Sequence, residues 1–200
     1  MCYDGHYMGI EMETILAVIT GIGLSAACGF RVFVPLLALN LASVYRYLTL
    51  APGFEWIGGY YATIAFASAT ILEIIAYYVP WLDHVMDTIA SPVSIIAGTI
   101  ATASLITDLP PSVKWIVAII AGGGIAGVIQ GASMALRAKS SLFTGGLGNP
   151  LIATAELAGS AFIAVLAILI PIICFLLVAA FVICAFYKVG RTFSKKMKGK

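Results

Sequence analysis

Charge is what this sequence has least of. Only 10% of its 200 residues are Asp, Glu, Lys or Arg, against about 25% in a soluble domain. That scarcity excludes an ordinary water-facing surface, and 62% hydrophobic residues with a mean hydropathy of +1.06 fill the gap. The solvent for most of the chain is therefore lipid. Histidine is nearly missing, with His6 and His84 alone. No Ser-His-Asp, Cys-His or HExxH arrangement exists, so enzyme chemistry is not expected. Cysteine is sparse too: Cys2, Cys28, Cys174 and Cys184 form no CxxC. We expect neither a disulfide framework nor a metal site, and no cofactor. No basic patch is interleaved with aromatics, which argues against nucleic acid as a partner.

The first thirteen residues are acidic and hold no Lys or Arg, through Asp4, Glu11 and Glu13. A secretory signal needs a positive start, so the first apolar run is expected to stay in the mature protein. Residues 188–200 carry six Lys or Arg. The positive-inside rule places this tail in the cytoplasm of a cell-membrane protein, and the same charge suits anionic lipid headgroups. Between the two ends, residues 14–187 form one transmembrane domain.

Apolar segments lie at about 14–40, 56–79, 92–107, 113–136 and 150–187. A bilayer core needs about 20 helical residues. The last segment, at ~1.5 Å per residue, would reach ~57 Å, too long for one ordinary span. Pro171 near its middle marks a tight turn or a kink. Length argues for six spans, and the lack of turn residues in "ILIPIICF" argues for five. Either count leaves eight basic residues on one side against two.

The expected fold is an all-α polytopic membrane bundle, six spans favoured over five. An internal repeat favours six. Gly21, Ser25 and Gly29 recur at four-residue spacing, as do Gly123, Gly127 and Gly131. Each trio lets another helix backbone approach closely. Basic residues follow both trios, then a glutamate (Glu73, Glu156), then a proline (Pro80, Pro171). Halves 14–107 and 113–187 would make a 3+3 inverted repeat, a pattern frequent among transporters.

Arg31 is the costly residue. At a helix centre an arginine costs ~2.5–3.5 kcal/mol on insertion scales, so it needs a partner or water. Pro35 crowds the carbonyl of Arg31 and Gly29 precedes it, so the first helix is expected to be interrupted there. Two readings stay open: an anion or carboxylate site at a broken helix, or a structural ion pair with Glu73. Glu73 left unpaired could instead carry a proton. Asp83, His84 and Asp87 sit on a short amphipathic stretch, where two acids and one imidazole fall below the usual ligand count. A solvated interfacial face is expected for them. Asn149 before Pro150 reads as an N-cap with proline at the first helical position. Glu156 then lies two turns in, paired with Arg137 or Lys139 or completing a site with Glu73. Gln130 is the remaining polar candidate. The Gly/Ser-rich loop before Asn149 matches no phosphate-binding motif.

"GLSAACGFRVFVPLLAL" (Gly23–Leu39), "LEIIAYYVPWLDHVMDTI" (Leu72–Ile89) and "GNPLIATAE" (Gly148–Glu156) resemble the membrane family known as domain of unknown function 4126, over roughly residues 14–187. The shared motifs are G-x-R-x3-P, E-x6-P-x2-D-x3-D and N-P…E. The resemblance implies a multi-span membrane protein and no particular activity or substrate. The functional expectation is a small transporter or channel-like protein for a small or anionic solute, with Arg31, Glu73, Glu156 and Gln130 at its site. The rival expectation is a scaffold or accessory subunit in which Arg31–Glu73 is a lock. Expected partners are membrane lipid, and a second copy or other membrane subunits.

Overall fold

The computed structural model describes the backbone of residues 4–145 and 148–198, and side chains over 12–79, 85–145, 148–185 and 187. The described elements are all helical: α1 (Asp4–Phe30), α2 (Phe33–Val44), a 3-10 turn (Glu55–Gly58), α3 (Tyr60–Tyr78), α4 (Pro80–Ala103), α5 (Pro111–Val117), a π-helical stretch (Ala118–Gly123), α6 (Gly124–Thr144), α7 (Asn149–Leu169) and α8 (Pro171–Lys198). Five stretches are long and apolar enough to cross a bilayer: Met12–Phe30, Tyr60–Tyr78, Val85–Ala103, Pro111–Thr144 and Asn149–Leu169. Phe33–Val44 and Pro171–Ala185 are apolar but shorter. The chain is a polytopic helical membrane bundle.

The first helix is interrupted at Arg31, as Pro35 leads one to expect, but the chain does more than kink. Gly21 abuts Thr102, while the Ser25 hydroxyl donates to the Gly98 carbonyl at 2.6 Å. Residue numbers thus rise on α1 as they fall on α4, and the two run antiparallel. The Ala51 amide donates to the Ser104 carbonyl at 2.7 Å, which pins the loop after α2 to the C-terminal end of α4. A collinear α2 would carry Val44 ~20 Å past Arg31 and ~35 Å from that loop. The seven residues from Val44 to Ala51 reach at most ~25 Å. So α2 folds back along α1, and Arg31–Val32 is the tip of a helical hairpin inside the bundle.

A second hairpin closes at Ile170–Pro171. The Cys174 thiol approaches the Ile163 carbonyl at 3.7 Å, and Gly23 lies against both Ala167 and Cys174. Farther along, the Phe30 and Phe181 rings stand 6.3 Å apart. The long apolar segment is therefore two antiparallel helices, and Pro171 is the turn, without Gly, Asn or Ser. Pro171 and Pro80 take the same place, each the first residue of a helix after one non-helical linker residue, Ile170 or Val79. Proline suits this position because a first-turn amide has no intrahelical partner. Since α8 runs parallel to α1, the chain enters the bundle at one end and leaves at the other. Residues Pro80–Pro92 are not a separate surface helix; they open the 24-residue α4.

Small residues bring α1, α4 and α6 together. A Cβ at Gly29 would stand 2.6 Å from Ile129 Cβ and 2.7 Å from the Ala126 carbonyl oxygen. Gly123 and Gly127 face Thr99 and Ile95 of α4. Gly131 differs from its expected role: no atom lies within 4 Å of its would-be Cβ, and it is exposed. Tyr45, Tyr47, Trp56, Tyr60 and Tyr61 are exposed around the loop at the entry end, the distribution of an interfacial aromatic belt.

Candidate functional site

The hairpin tip meets the costly residues of four other helices. Arg31, on the tip, is 1% exposed. Its Nη2 donates to the Ala153 carbonyl at 2.9 Å and stands 3.8 Å from Glu156 Oε2. The guanidinium carbon lies 3.7 Å from the centroid of the Tyr77 ring. Arg137, three turns along α6 from Gly127, lies 4.1 Å from the same centroid. Two guanidinium groups cannot stack on one face at these heights, so they take opposite faces of Tyr77. The ring separates two like charges and offers each its negative face.

Glu156, two turns into α7, binds Arg137 through both oxygens: Nε donates to Oε1 at 3.1 Å and Nη2 donates to Oε2. A fork of this kind is the strong geometry for an arginine-carboxylate pair. The Ser133 hydroxyl also donates to Oε1. Arg137 Nη1 donates to Asp87 Oδ1 of α4 at 2.8 Å. Of the two basic partners the sequence offered Glu156, it takes Arg137, and Lys139 is exposed. Gln130, Ser133 and Arg137 share one buried face of α6 by the i, i+3, i+7 rule.

Glu73 is placed differently from the expected lock. Its oxygens accept hydrogen bonds from the Val32 amide at 2.8 Å and the Phe33 amide at 3.1 Å. These donors are orphaned where α2 begins. A carboxylate here satisfies both and faces the positive end of the α2 dipole. So Arg31 takes Glu156 as its carboxylate neighbour, and Glu73 caps the helix that starts just after Arg31. The reason is the chain reversal: it aims the guanidinium at α7 and the amides at α3.

Asn149 also departs from expectation. Gly148 takes the cap position, and the Asn149 side chain exchanges hydrogen bonds with the Ser141 hydroxyl across the α6–α7 turn. Asp87 belongs to the charged cluster rather than to a solvated face. The side chains of Asp83 and His84 lie outside the described residues. Among the described residues no group of three His, Cys, Asp or Glu could hold a metal ion.

A cleft of about 240 Å³ leads to this cluster, lined by Asp87, Thr88, Met134, Arg137, Ala138, Ser141 and Asn149. Arg137 and Asp87 both line it, and Arg31 lies across the Tyr77 ring from Arg137. Tyr77 and Ser133 were missed by sequence reasoning, and Arg137 was read only as a pairing partner for Glu156. The available signal was spacing: Tyr77 lies four after Glu73, and Arg137 lies seven after Gln130.

The chain belongs to the family described as Domain of unknown function (DUF4126), whose model matches residues 18–191. No curated protein matches it, and no solved structure does.

Proposed function

We propose that this family member is a small membrane transport protein whose solute site is the floor of the polar cleft. The carrying observation is that Arg137, 3% exposed, lines that cleft and is held between Asp87 and Glu156. Buried ionisable groups in a membrane bundle are costly and mark solute or ion paths by default. Arg137 meets the solute, and Asp87 and Glu156 compete with the solute for it. Arg31 stands behind Tyr77 and holds Glu156 in place. Glu73 keeps the hairpin tip formed. The like placement of Pro80 and Pro171 supports an internal repeat of the kind transporters use.

In this reading the chain lies in the cell membrane with its basic tail in the cytoplasm. The cleft, at the end of the bundle where α8 leaves, then opens toward the cytoplasm. It is read as a carrier rather than an enzyme, working without a cofactor, with lipid and further copies of itself as its partners. Purified chain in liposomes should pass a small polar solute across the bilayer, read as uptake from a panel of labelled solutes. Glu156→Gln should cut that flux at least tenfold while the protein still extracts as a folded species. Equal flux in Glu156→Gln and the parent, or no flux for any solute, overturns the proposal.

The scaffold reading has one observation in its favour. The polar groups at the hairpin tip are paired within the chain, Glu73 with two amides and Arg31 with Ala153 and Glu156, as a structural lock would need. A stoichiometric protein partner after mild extraction, together with absent flux, would favour it.

A further inference from the structure

Helix α2 ends in a turn that suits glycine and holds arginine. The Tyr47 amide donates to the Ala42 carbonyl at 2.8 Å, and the Arg46 amide donates to the Ser43 carbonyl at 3.0 Å. This pair of bonds marks the helix ending in which one residue takes the left-handed conformation, most often as glycine. Here that residue is Arg46, with φ 61°, and among the described residues it is the one non-glycine with a positive φ. A Cβ in that region crowds the following carbonyl, a clash that glycine avoids. The chain does use glycine for the same task elsewhere: Gly145, at φ 63°, ends α6. Arginine at 46 therefore works against local preference, and an observed outlier of this kind points to a use.

That use lies outside the chain. Arg46 is exposed, and among the described residues no hydrogen bond, ion pair or ring contact engages its guanidinium. The acids at this end of the bundle are engaged locally. Glu55 accepts from the Gly53 amide at 2.8 Å, and Asp108 accepts from the Thr107 hydroxyl at 2.7 Å. The other cation here, Lys114, lies 5.3 Å from the centroid of the Phe54 ring. Tyr45 and Tyr47, on either side of Arg46 in sequence, are 71% and 73% exposed, and Trp56, Tyr60 and Tyr61 are exposed in the same connection to α3. Rings of this type sit at the headgroup level of a bilayer. The group at that level which a planar guanidinium fork matches is a phosphodiester. A headgroup with its own ammonium already compensates its phosphate, whereas an anionic headgroup leaves it free for arginine.

We propose that the turn ending α2 is a headgroup site for an anionic phospholipid, with Arg46 on the phosphate and Tyr45 and Tyr47 beside it. The site lies at the end of the bundle away from the polar cleft and does not depend on transport.

The test uses the full chain in neutral detergent, with phosphatidylglycerol, phosphatidylcholine and inorganic phosphate as probes at equal ionic strength. Bound lipid is counted by native mass spectrometry, and the thermal midpoint is read with each probe. Arg46→Gly is expected to bind one phosphatidylglycerol fewer than the parent at low lipid, with phosphatidylcholine binding unchanged within twofold. The basic tail also draws anionic lipid, but it is common to both proteins, so the difference reads the turn alone. The same variant should melt higher than the parent in lipid-free detergent, because the left-handed residue is no longer strained. An arginine with a structural role would lower that midpoint, and an idle one would leave lipid binding alone. Arg46→Lys, which keeps the charge and loses the fork, should fall between the two. Equal phosphatidylglycerol binding in Arg46→Gly and the parent overturns the proposal, as does an equal loss of phosphatidylcholine. A lower midpoint in Arg46→Gly overturns it by removing the strain on which it stands. Inorganic phosphate that raises the parent's midpoint as much as phosphatidylglycerol does overturns the lipid assignment and leaves a free-anion site.

Discussion

The two hairpin tips of this bundle solve one problem in opposite ways. At Arg31–Val32 the chain reverses among charged side chains, and the freed amides of Val32 and Phe33 need an acceptor from another helix. At Ile170–Pro171 the chain reverses in apolar surroundings. There Pro171 has no amide to satisfy, the Ile170 amide donates to Leu166 at 2.8 Å, and the Cys174 amide donates to Ile170 at 3.1 Å. Both of these bonds are local to the second turn. The first depends on Glu73, forty residues away in sequence. A turn within a membrane bundle must satisfy its backbone. Doing so with a distant carboxylate couples local geometry to the packing of the whole bundle.

Breaking the borrowed cap should therefore have the largest effect. Glu73→Ala leaves one buried and one part-buried amide without this acceptor, and hydrogen bonds to charged groups are worth ~1.5–3 kcal/mol each. A loss of about 3 kcal/mol or more is expected in reversible unfolding in detergent. Glu73→Gln, which keeps one acceptor oxygen, should lose about half as much. Equal stability of Glu73→Ala and the parent would mean that water or another group caps α2.

Packing beside the first tip comes next. Gly29→Ala drives a methyl into Ile129 and the Ala126 carbonyl, and such overpacking typically costs ~1–3 kcal/mol. Gly131→Ala, with open space at its Cβ, should change stability by less than ~0.5 kcal/mol. The same unfolding assay separates them, and a ranking in the opposite order would refute the close approach of α1 and α6.

The smallest effect is expected at the second tip. Pro171→Ala restores an amide in a first turn that asks for no donor, at a cost of roughly 1 kcal/mol or less. A loss rivalling that of Glu73→Ala would show that the two turns are not so different.

Much of the bundle was legible in the sequence because lipid imposes length and apolarity on each helix. The interruption at Arg31 followed from Gly29 and Pro35, and the turn at Pro171 from the excess length of residues 150–187. The partner of Arg31 was not legible. Glu73 and Glu156 each offer a carboxylate at a suitable depth, and the choice depends on the chain reversing at residue 31 rather than running on. Spacing cannot reveal such a reversal, since α2 is as apolar as a continuing span. Tyr77 was hidden for a related reason: its role exists only where α1, α3 and α6 converge, and no single helix contains that information. Asp87 looked interfacial because its neighbours Asp83 and His84 share a polar stretch, whereas Arg137 draws it inward.

The π-helical stretch Ala118–Gly123 has a consequence for angle rather than energy. Each π turn holds an extra residue, so the helix below it is rotated relative to a regular one by about 100°, one residue's share of a turn. Gln130, Ser133 and Arg137 all lie downstream of that offset. Their common direction toward α7 is set by the glycines Gly122 and Gly123, which nestle against Thr102 and Thr99. The wide turn works like a vernier on the long helix, setting the bearing of an arginine four turns away without touching it.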